Sequence, residues 1–350
     1  MISAADAAVP TAFLRVEKRG RAGRILLDRP RALHALDEGM VLGLHRALEE
    51  WRHDPAVDHV VFASSTPGRA FCAGGDIRAG RELALAGRPD LVERYFEREY
   101  ALNAVVASYP KPTVALVDGV CMGGGVGLAL HCRHRLATPA SVIAMPETAI
   151  GFFPDVGATF LFRHLPPGLA AWLALTGGRL DGQAAAALGL IDAAVSPDRL
   201  AAIDTALDGP GAVAADLLPG GDAARRPVLT PGQERLAAWF DPKHGLDGIL
   251  RRLEADGGEE ARRQLALLRS MSPFSLRVVV EQFRRAAGLS LADCLALDLH
   301  LARRLTARPD FVEGVRAVLV DKDRQPRWRP ARLEDVSDDE VAAVFAGLED

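Results

Sequence analysis

Short apolar runs of strand length alternate with amphipathic helix patterns through the first two-thirds of the chain, and this alternation limits the fold more than any other feature. Phe13–Glu17 and Arg24–Asp28 predict two short strands joined by a glycine-containing turn, which is typical of a hairpin. Asp37 is a suitable N-cap, because apolar side chains follow it at helical spacing. Val57–Ala63 and Pro112–Val117 predict buried strands. The repetition predicts an α/β core made of ββα units.

The last third of the chain changes to segments of helical periodicity. A stretch rich in Gly and Pro precedes it and interrupts any regular element, which predicts a linker or an irregular connection. We therefore predict a core over residues 1–205, the connection over 206–232 and a helical region over 233–350.

Composition excludes several classes of protein. The 350 residues are 49% hydrophobic and 25% charged with a net charge of −4, which is ordinary for a globular protein and argues against a dedicated nucleic-acid binder. No run approaches the roughly 18 apolar residues that a membrane span needs, so we expect no membrane partner. Met1–Phe13 contains no Arg or Lys and fits neither a secretory signal nor a mitochondrial presequence. The four cysteines form no CxxC pair, and we expect reduced thiols in a cytoplasmic protein.

Two carboxylates, Glu147 and Asp155, lie in the otherwise apolar segment Met145–Gly157. Acidic side chains are rarely buried unless something holds them, and burial raises a carboxyl pKa toward the range in which it transfers protons near neutral pH. The pair therefore favours acid–base chemistry. The alternative is a capped helix start at Pro146 and a loop position at Asp155, and the segment alone does not decide between the two.

Two glycine-rich segments, Ala70–Ile77 and Gly119–Gly127, each place small residues after a predicted strand and before a predicted helix. N–H groups at a helix start can approach an oxyanion closely where no Cβ intervenes. One donor from each segment would form an oxyanion hole for a carbonyl that gains negative charge. The alternative is that these glycines only permit tight turns, but two such segments beside a carboxylate pair favour a site.

Other site motifs do not match. Position 128 is Leu, so the second glycine segment is not GxGxxG, and the sequence contains no phosphate loop, GxSxG elbow or HExxH helix. His131 and His134 could share a helix face, but a metal site would need further ligands, and we expect none.

On these segments the chain resembles the crotonase, or enoyl-CoA hydratase/isomerase, superfamily. Phe71–Ile77 and Met122–Gly127 match the superfamily, whereas Met145–Gly157 and Glu313–Asp323 more narrowly resemble 3-hydroxyisobutyryl-CoA hydrolases. The similarity covers about residues 13–345. It implies a crotonase-like ββα spiral core with a C-terminal helical lobe.

The resemblance implies that the backbone N–H groups of Gly75 and Gly124 form the oxyanion hole for an acyl-CoA thioester. Of the two catalytic glutamates of the hydratases, one maps to Glu147 and the other to Gly127, which has no side chain. That departure argues against addition of water across a double bond.

The hydrolase branch keeps Glu147 and adds Asp155, which implies a general base or nucleophile and a residue that positions the substrate's 3-hydroxyl or assists proton transfer. Glu99 matches a substrate-contacting position, and its alternative is a solvated charge on a helix surface. Arg31 and Lys322 match positions near the nucleotide end and the phosphates of CoA, although exposed Arg and Lys side chains are usually only solvated.

The expected function is hydrolysis of 3-hydroxyisobutyryl-CoA, a step of valine breakdown, with 3-hydroxypropionyl-CoA as a second substrate and no cofactor beyond the substrate's own CoA. The alternatives are a hydratase or isomerase of the same fold and a non-catalytic CoA-binding protein. Retention of both Glu147 and Asp155 argues against the last. The resemblance leaves the assembly open between a trimer, a hexamer and a monomer.

Overall fold

The computed structural model of the protein describes residues 12–209 and 227–348. Contacts divide the chain into two compact units, each assembled from separate stretches of sequence. The first comprises Met1–Asp76, Arg98–Ala144 and Leu180–Val228, and the second comprises Ile77–Glu97, Met145–Arg179 and Leu229–Asp350. Most of the predicted connection over 206–232 lies outside the described residues, so the three-part division of the sequence stays a prediction.

The described strands all belong to the first unit and are, in chain order, β1 (Leu14–Arg19), β2 (Ala22–Leu27), β3 (His59–Ser64), β4 (Ala70–Cys72), β5 (Thr113–Val117), β6 (Val120–Met122), β7 (His134–Ala137), β8 (Val142–Ala144), β9 (Leu180–Asp181) and β10 (Ala193–Ala194). They form a six-stranded sheet in the order β1-β2-β3-β5-β7-β10 and a four-stranded sheet in the order β4-β6-β8-β9. The predicted hairpin is confirmed, since β1 and β2 pair antiparallel. From β2 onward the larger sheet is parallel, which confirms the predicted α/β core.

In the larger sheet, the burial of each strand matches its position in the strand order. The central strands β2, β3 and β5 are buried along almost their whole length, as parallel strands covered on both faces are. β1, in contrast, lies at the edge and exposes five of its six residues, among them charged side chains that discourage pairing with another chain.

The described α-helices are, in chain order, α1 (Glu38–Trp51), α2 (Ile77–Leu85), α3 (Pro89–Ala107), α4 (Gly124–Leu130), α5 (Ala158–Leu161), α6 (Pro167–Thr176), α7 (Gly182–Ala187), α8 (Pro197–Ala206), α9 (Pro231–Trp239), α10 (Gly245–Asp256), α11 (Glu259–Ser270), α12 (Pro273–Arg285), α13 (Leu291–Leu305), α14 (Pro309–Val315) and α15 (Asp338–Phe345). The predicted cap is confirmed, because the Asp37 side chain accepts a hydrogen bond from the Met40 N–H at 2.8 Å. Within residues 12–209 and 227–348, no helix is both long enough and apolar enough to cross a bilayer.

Within the first unit, a buried ion-pair network joins α8 and the residues after it to strand β2. Arg24, which is 1% exposed, pairs with Asp204 and with Asp208 at 2.6 Å. His59 on β3 adds a hydrogen bond from its Nε2 to the Leu207 carbonyl at 2.9 Å. A buried guanidinium is tolerable here because two carboxylates neutralise it.

The second unit is helical apart from its connecting turns. Gly168 on α6 lies so close to α9 that a Cβ there would overlap the Ala237 carbonyl. Phe152 lies at the centre of an aromatic cluster, with ring centroids at 5.2 Å from Phe96, 4.5 Å from Phe153 and 5.9 Å from Phe311. The helices predicted for the last third are present, and α14 and α15 are additions that the sequence analysis did not predict.

Candidate active site

The predicted site residues divide between the two units. The first unit contains Gly75, Glu99, Gly124 and Arg31, and the second contains Glu147, Asp155 and Lys322.

The turn that carries Gly75 is fixed by Leu36. The Leu36 N–H donates to the Gly74 carbonyl at 2.8 Å, and the Asp76 N–H donates to the Leu36 carbonyl at 2.8 Å. These two hydrogen bonds use the Gly74 carbonyl and the Asp76 N–H, which flank Gly75, and leave the Gly75 N–H out of the pairing. The turn therefore presents the Gly75 N–H in a defined direction.

Gly124 is the first residue of α4, and an N–H at this position of a helix has no intrahelical acceptor. A Cβ at Gly124 would stand 3.2 Å from the Gly75 nitrogen and would overlap Oε1 of Glu99. The first unit therefore brings three predicted residues together, and the absence of a side chain at 124 keeps open the space beside the Gly75 N–H.

Glu99 is 2% exposed on α3, so it is not a solvated charge on a helix surface. It also affects its neighbour Cys72. Burial raises the pKa of the Cys72 thiol to about 12, and the negative charge of Glu99 adds to that rise. A carboxylate kept at this depth, beside two glycine backbones, suits recognition of a polar substrate group.

A second layer of residues supports the Gly75 turn. Arg29 pairs with Asp76 at 2.7 Å. The fully buried His34 accepts the Arg29 N–H at its Nδ1 at 3.0 Å, and its Nε2 lies 2.6 Å from Oγ1 of Thr66. Because Nδ1 is an acceptor, this ring is neutral, in agreement with burial lowering the pKa of His34. His34 was not among the predicted site residues, because no local sequence pattern marks it.

In the second unit, Glu147 begins the 3-10 helix Glu147–Ile150 and is 7% exposed. Its backbone is fixed, since its carbonyl accepts the Phe152 N–H at 3.0 Å. The hydroxyl of the next residue, Thr148, donates to the Leu175 carbonyl at 3.1 Å. The backbone carbonyl of Thr148 accepts a hydrogen bond from the Ser272 N–H at 3.1 Å. A helical turn does start at Pro146, as the structural alternative predicted, but no side chain caps it and the Glu147 carboxylate is buried.

Asp155 is 4% exposed and lies in the loop between that 3-10 helix and α5. The two residues after it have left-handed backbones, with φ of 52° at Val156 and 75° at Gly157. Two residues that the sequence analysis missed, Gln282 and Asp298, bind this loop from α12 and α13. A signal was present, because each is a polar residue at an apolar position of an amphipathic helix.

Arg31 is exposed in a 3-10 turn of the first unit, and Lys322 is exposed in the second, with φ of 60°. Nothing in their surroundings distinguishes them from solvated charges, so their role toward CoA stays a prediction.

The idea that His131 and His134 share a helix face is wrong, because His131 follows the end of α4 and His134 begins β7. Among the described residues, no cluster of three or more His, Cys, Asp or Glu side chains is arranged to hold a metal ion.

Known proteins are similar to this chain over most of its length. A family model described as enoyl-CoA hydratase/isomerase matches residues 22–345. A mitochondrial 3-hydroxyisobutyryl-CoA hydrolase of Gallus gallus is 39% identical over 343 residues, covering 95% of this chain and 88% of that protein. The Homo sapiens protein of the same name is 36% identical over 343 residues, with the same coverage of 95% and 88%.

Two solved structures share the fold over nearly the whole chain. A carnitinyl-CoA dehydratase from Mycobacterium thermoresistibile superimposes with a TM-score of 0.86 at 34% identity, covering 96% of each chain. An enoyl-CoA hydratase from Rhodobacter sphaeroides superimposes with a TM-score of 0.85 at 37% identity, covering 97% of this chain and 98% of that one. The expectation of a crotonase-like fold is thus confirmed.

Proposed function

The chain belongs to the enoyl-CoA hydratase/isomerase family, and from that premise we propose that it hydrolyses the thioester of 3-hydroxyisobutyryl-CoA to 3-hydroxyisobutyrate and CoA. Curated relatives that bear the name of this hydrolase are 36–39% identical over almost the full chain. 3-Hydroxypropionyl-CoA is a second substrate under the same proposal, and valine breakdown is the pathway.

One observation favours hydrolysis over hydration. Position 127, where the resemblance to the hydratases would require a second catalytic glutamate, is a glycine buried inside α4. Addition of water across a double bond needs one group to deliver the water and another to protonate the adjacent carbon, whereas thioester hydrolysis needs one base and an oxyanion hole. The retained set, two backbone donors and Glu147, matches the second requirement.

Gly75 and Gly124 supply the backbone N–H groups that stabilise the negative charge on the thioester oxygen. Preorganised donors of this kind act on charge that develops only during the reaction, and removing one typically costs about 10²–10³ in rate. The proximity of the Gly75 nitrogen to Gly124 supports this role.

Glu147 activates the attack on the thioester carbon. In one route it takes a proton from water, the water oxygen bonds to the carbon, the carbon–sulfur bond breaks, and the thiolate of CoA takes up the proton. In the other route its carboxylate attacks first, expels the thiolate, and forms a mixed anhydride that water then opens. A burst of CoA release in the first turnover identifies the anhydride route.

Asp155 and Glu99 provide the selectivity for a 3-hydroxyacyl group. Both are buried carboxylates that can accept a hydrogen bond from the substrate's 3-hydroxyl. A site built to bind a hydroxyl discriminates by up to about 10⁴–10⁵ against the analogue that lacks it. Asp155 alternatively assists the proton transfer.

Thiol release from 3-hydroxyisobutyryl-CoA by Glu147→Gln and Asp155→Asn tests the assignment. We expect Glu147→Gln to lose most of kcat and Asp155→Asn to lose kcat/KM on the hydroxylated substrate. The matched control is Asp192→Asn, since Asp192 is a buried carboxylate that pairs with Arg135 in the six-stranded sheet. Full activity in both site variants would show that these carboxylates do not carry the reaction.

We further propose a cytoplasmic location, although the relatives compared are named as mitochondrial. The four cysteines are free and buried, which fits any reducing compartment. Fractionation of the source cells tests the location, and sedimentation distinguishes a monomer from a trimer or a hexamer.

A further inference from the structure

Two fully buried polar side chains lie beneath the loop that carries Asp155. Gln282 on α12 and Asp298 on α13 are both 0% exposed. Gln282 interrupts an apolar helix face, since it follows Phe274 and Val278 at four-residue spacing. Asp298 does the same, since it lies between the buried Cys294 and Ala302 at the same spacing. Polar groups at such depth are unfavourable unless hydrogen bonds satisfy them, so their partners indicate their purpose.

The two side chains bond to each other and to backbone groups on either side of Asp155. Oδ2 of Asp298 accepts the Gly157 N–H at 2.8 Å, and Oδ1 accepts Nε2 of Gln282 at 2.9 Å. The same Nε2 of Gln282 also donates to the Pro154 carbonyl at 3.0 Å. The two side chains thus form a clamp, defined here as Gln282 and Asp298, that holds the loop one residue before and two residues after Asp155.

The loop has a backbone that requires such a clamp. Val156 has φ of 52°, in the left-handed region that a β-branched residue rarely adopts. Strained backbone of this kind persists only where surrounding contacts determine it, and it concentrates at functional sites. The conformation that aims Asp155 is therefore maintained from outside the loop.

We propose that Gln282 and Asp298 are positioning residues that hold Asp155 in place to recognise the substrate's 3-hydroxyl. The inference rests on the proposed function and deepens it, because it assigns selectivity for hydroxylated acyl groups to two helices of the second unit. Neither clamp residue touches the substrate, and both act through the Pro154–Gly157 backbone.

The charges agree with this arrangement. Burial raises the pKa of the Asp298 carboxyl well above its usual range, the Gly157 N–H opposes that rise, and the negative charge of Asp155 adds to it. Asp155 and Asp298 therefore influence each other through space as well as through the backbone. Gln282 opposes the rise by donating to Asp298.

A clamp that only stabilises the helices would behave differently from one that positions Asp155. The distinguishing measurement is the ratio of kcat/KM for 3-hydroxyisobutyryl-CoA to kcat/KM for isobutyryl-CoA, which lacks the hydroxyl. Loss of folded protein lowers both values and leaves the ratio unchanged, whereas misplacement of Asp155 lowers only the first.

Three variants keep the shape of the clamp while changing its donors. Asp298→Asn places an amide donor against the Nε2 of Gln282 or the Gly157 N–H, and Gln282→Glu places two carboxyl groups together. The combined exchange Gln282→Glu/Asp298→Asn restores one amide beside one carboxylate. We expect the ratio to fall about 10–100-fold in each single variant, the size expected for a misplaced site group, and to recover partly in the exchange.

The control is Gln264→Leu, since Gln264 is a buried glutamine of α11 that accepts the Trp172 Nε1–H at 3.0 Å, away from the Asp155 loop. This variant should lose stability and keep the ratio. An unchanged ratio in both single variants, or an exchange no better than the worse of them, would overturn the inference. A wild-type enzyme that releases no thiol from either substrate would instead overturn the proposed function.

Discussion

At the scale of single residues, the three carboxylates proposed to take part in the reaction are almost completely buried. Glu99, Glu147 and Asp155 are 2%, 7% and 4% exposed. A buried carboxylate is costly unless its surroundings satisfy it, and such groups concentrate where proton transfer or substrate recognition requires them. Their burial supports a catalytic account more strongly than their spacing in the sequence does.

Gly124→Ala tests the oxyanion hole at this scale. The new Cβ would overlap Oε1 of Glu99 and stand 3.2 Å from the Gly75 nitrogen, so it would fill the space proposed for the thioester oxygen. We expect kcat/KM to fall by about 10²–10³, as much as the loss of one oxyanion donor, because the new Cβ would keep the thioester oxygen away from the two N–H groups. Steady-state thiol release measures the loss, and Gly232→Ala is the control because a Cβ there meets only Oγ1 of Thr230, at 3.8 Å. Equal activity of the two variants would exclude the proposed hole.

A second prediction at the residue scale concerns the reactivity of the buried cysteine thiols. Burial raises the pKa of Cys72 and of Cys132 to about 12, and only the thiolate reacts with a disulfide reagent. The native enzyme should therefore react slowly with a chromogenic disulfide at about pH 8, and all four thiols should react after denaturation. Rapid reaction of Cys72 in the native state, located by mass spectrometry, would contradict the burial of this residue.

At the scale of secondary structure, the correct predictions came from signals that lie within an element's own sequence. The Asp37 cap and the apolar spacing after it correctly predicted α1, because capping and amphipathic periodicity lie within the helix's own sequence. The three-residue strands β4 and β6 were not predicted. Each pairs with a distant segment rather than with its neighbour in sequence, and three residues are too few to show a period.

His34, which supports the Gly75 turn, should make the stability of the folded protein depend on pH. Burial holds the pKa of His34 below its ordinary value of about 6.5, so below that pH the unfolded chain binds a proton that the folded ring refuses. The free energy of unfolding should therefore fall as pH decreases below about 6.5. His34→Asn, whose amide oxygen can accept the Arg29 N–H, should reduce that slope in urea titrations at several pH values.

The slope should decrease without vanishing, since burial also lowers the pKa of His45, His59 and His300. A variant with the same pH dependence as the wild type would show that His34 is not held neutral.

At the scale of the whole molecule, each compact unit is assembled from segments far apart in the sequence, which limited what could be predicted. The glycine segments, Glu147 and Asp155 could be proposed as site residues from the sequence because each lies in its own local motif. For the clamp, the sequence marks Gln282 and Asp298 only as polar residues at apolar helix positions. Their partners could not be predicted, since Asp298 bonds to Gly157 across 141 positions and no local pattern encodes that pairing. Predicting it would require the helix packing of the second unit.

For the complete enzyme, we predict that removing metal ions does not change the rate of thiol release. Under the proposed mechanism, backbone N–H donors supply the stabilisation that a Lewis acid would otherwise give to the thioester oxygen. Thiol release should therefore be unchanged after dialysis against a chelator, with and without added divalent cations. A loss of activity that a metal ion restores would require a different source of transition-state stabilisation.

The most direct test of thioester hydrolysis compares two reactions of the purified wild-type enzyme. One assay follows thiol release from 3-hydroxyisobutyryl-CoA, and the other follows loss of the enoyl absorbance of crotonyl-CoA. Our account predicts rapid thiol release, slower release from isobutyryl-CoA and negligible hydration. Robust hydration of crotonyl-CoA with no free thiol released from any of the three substrates would contradict it.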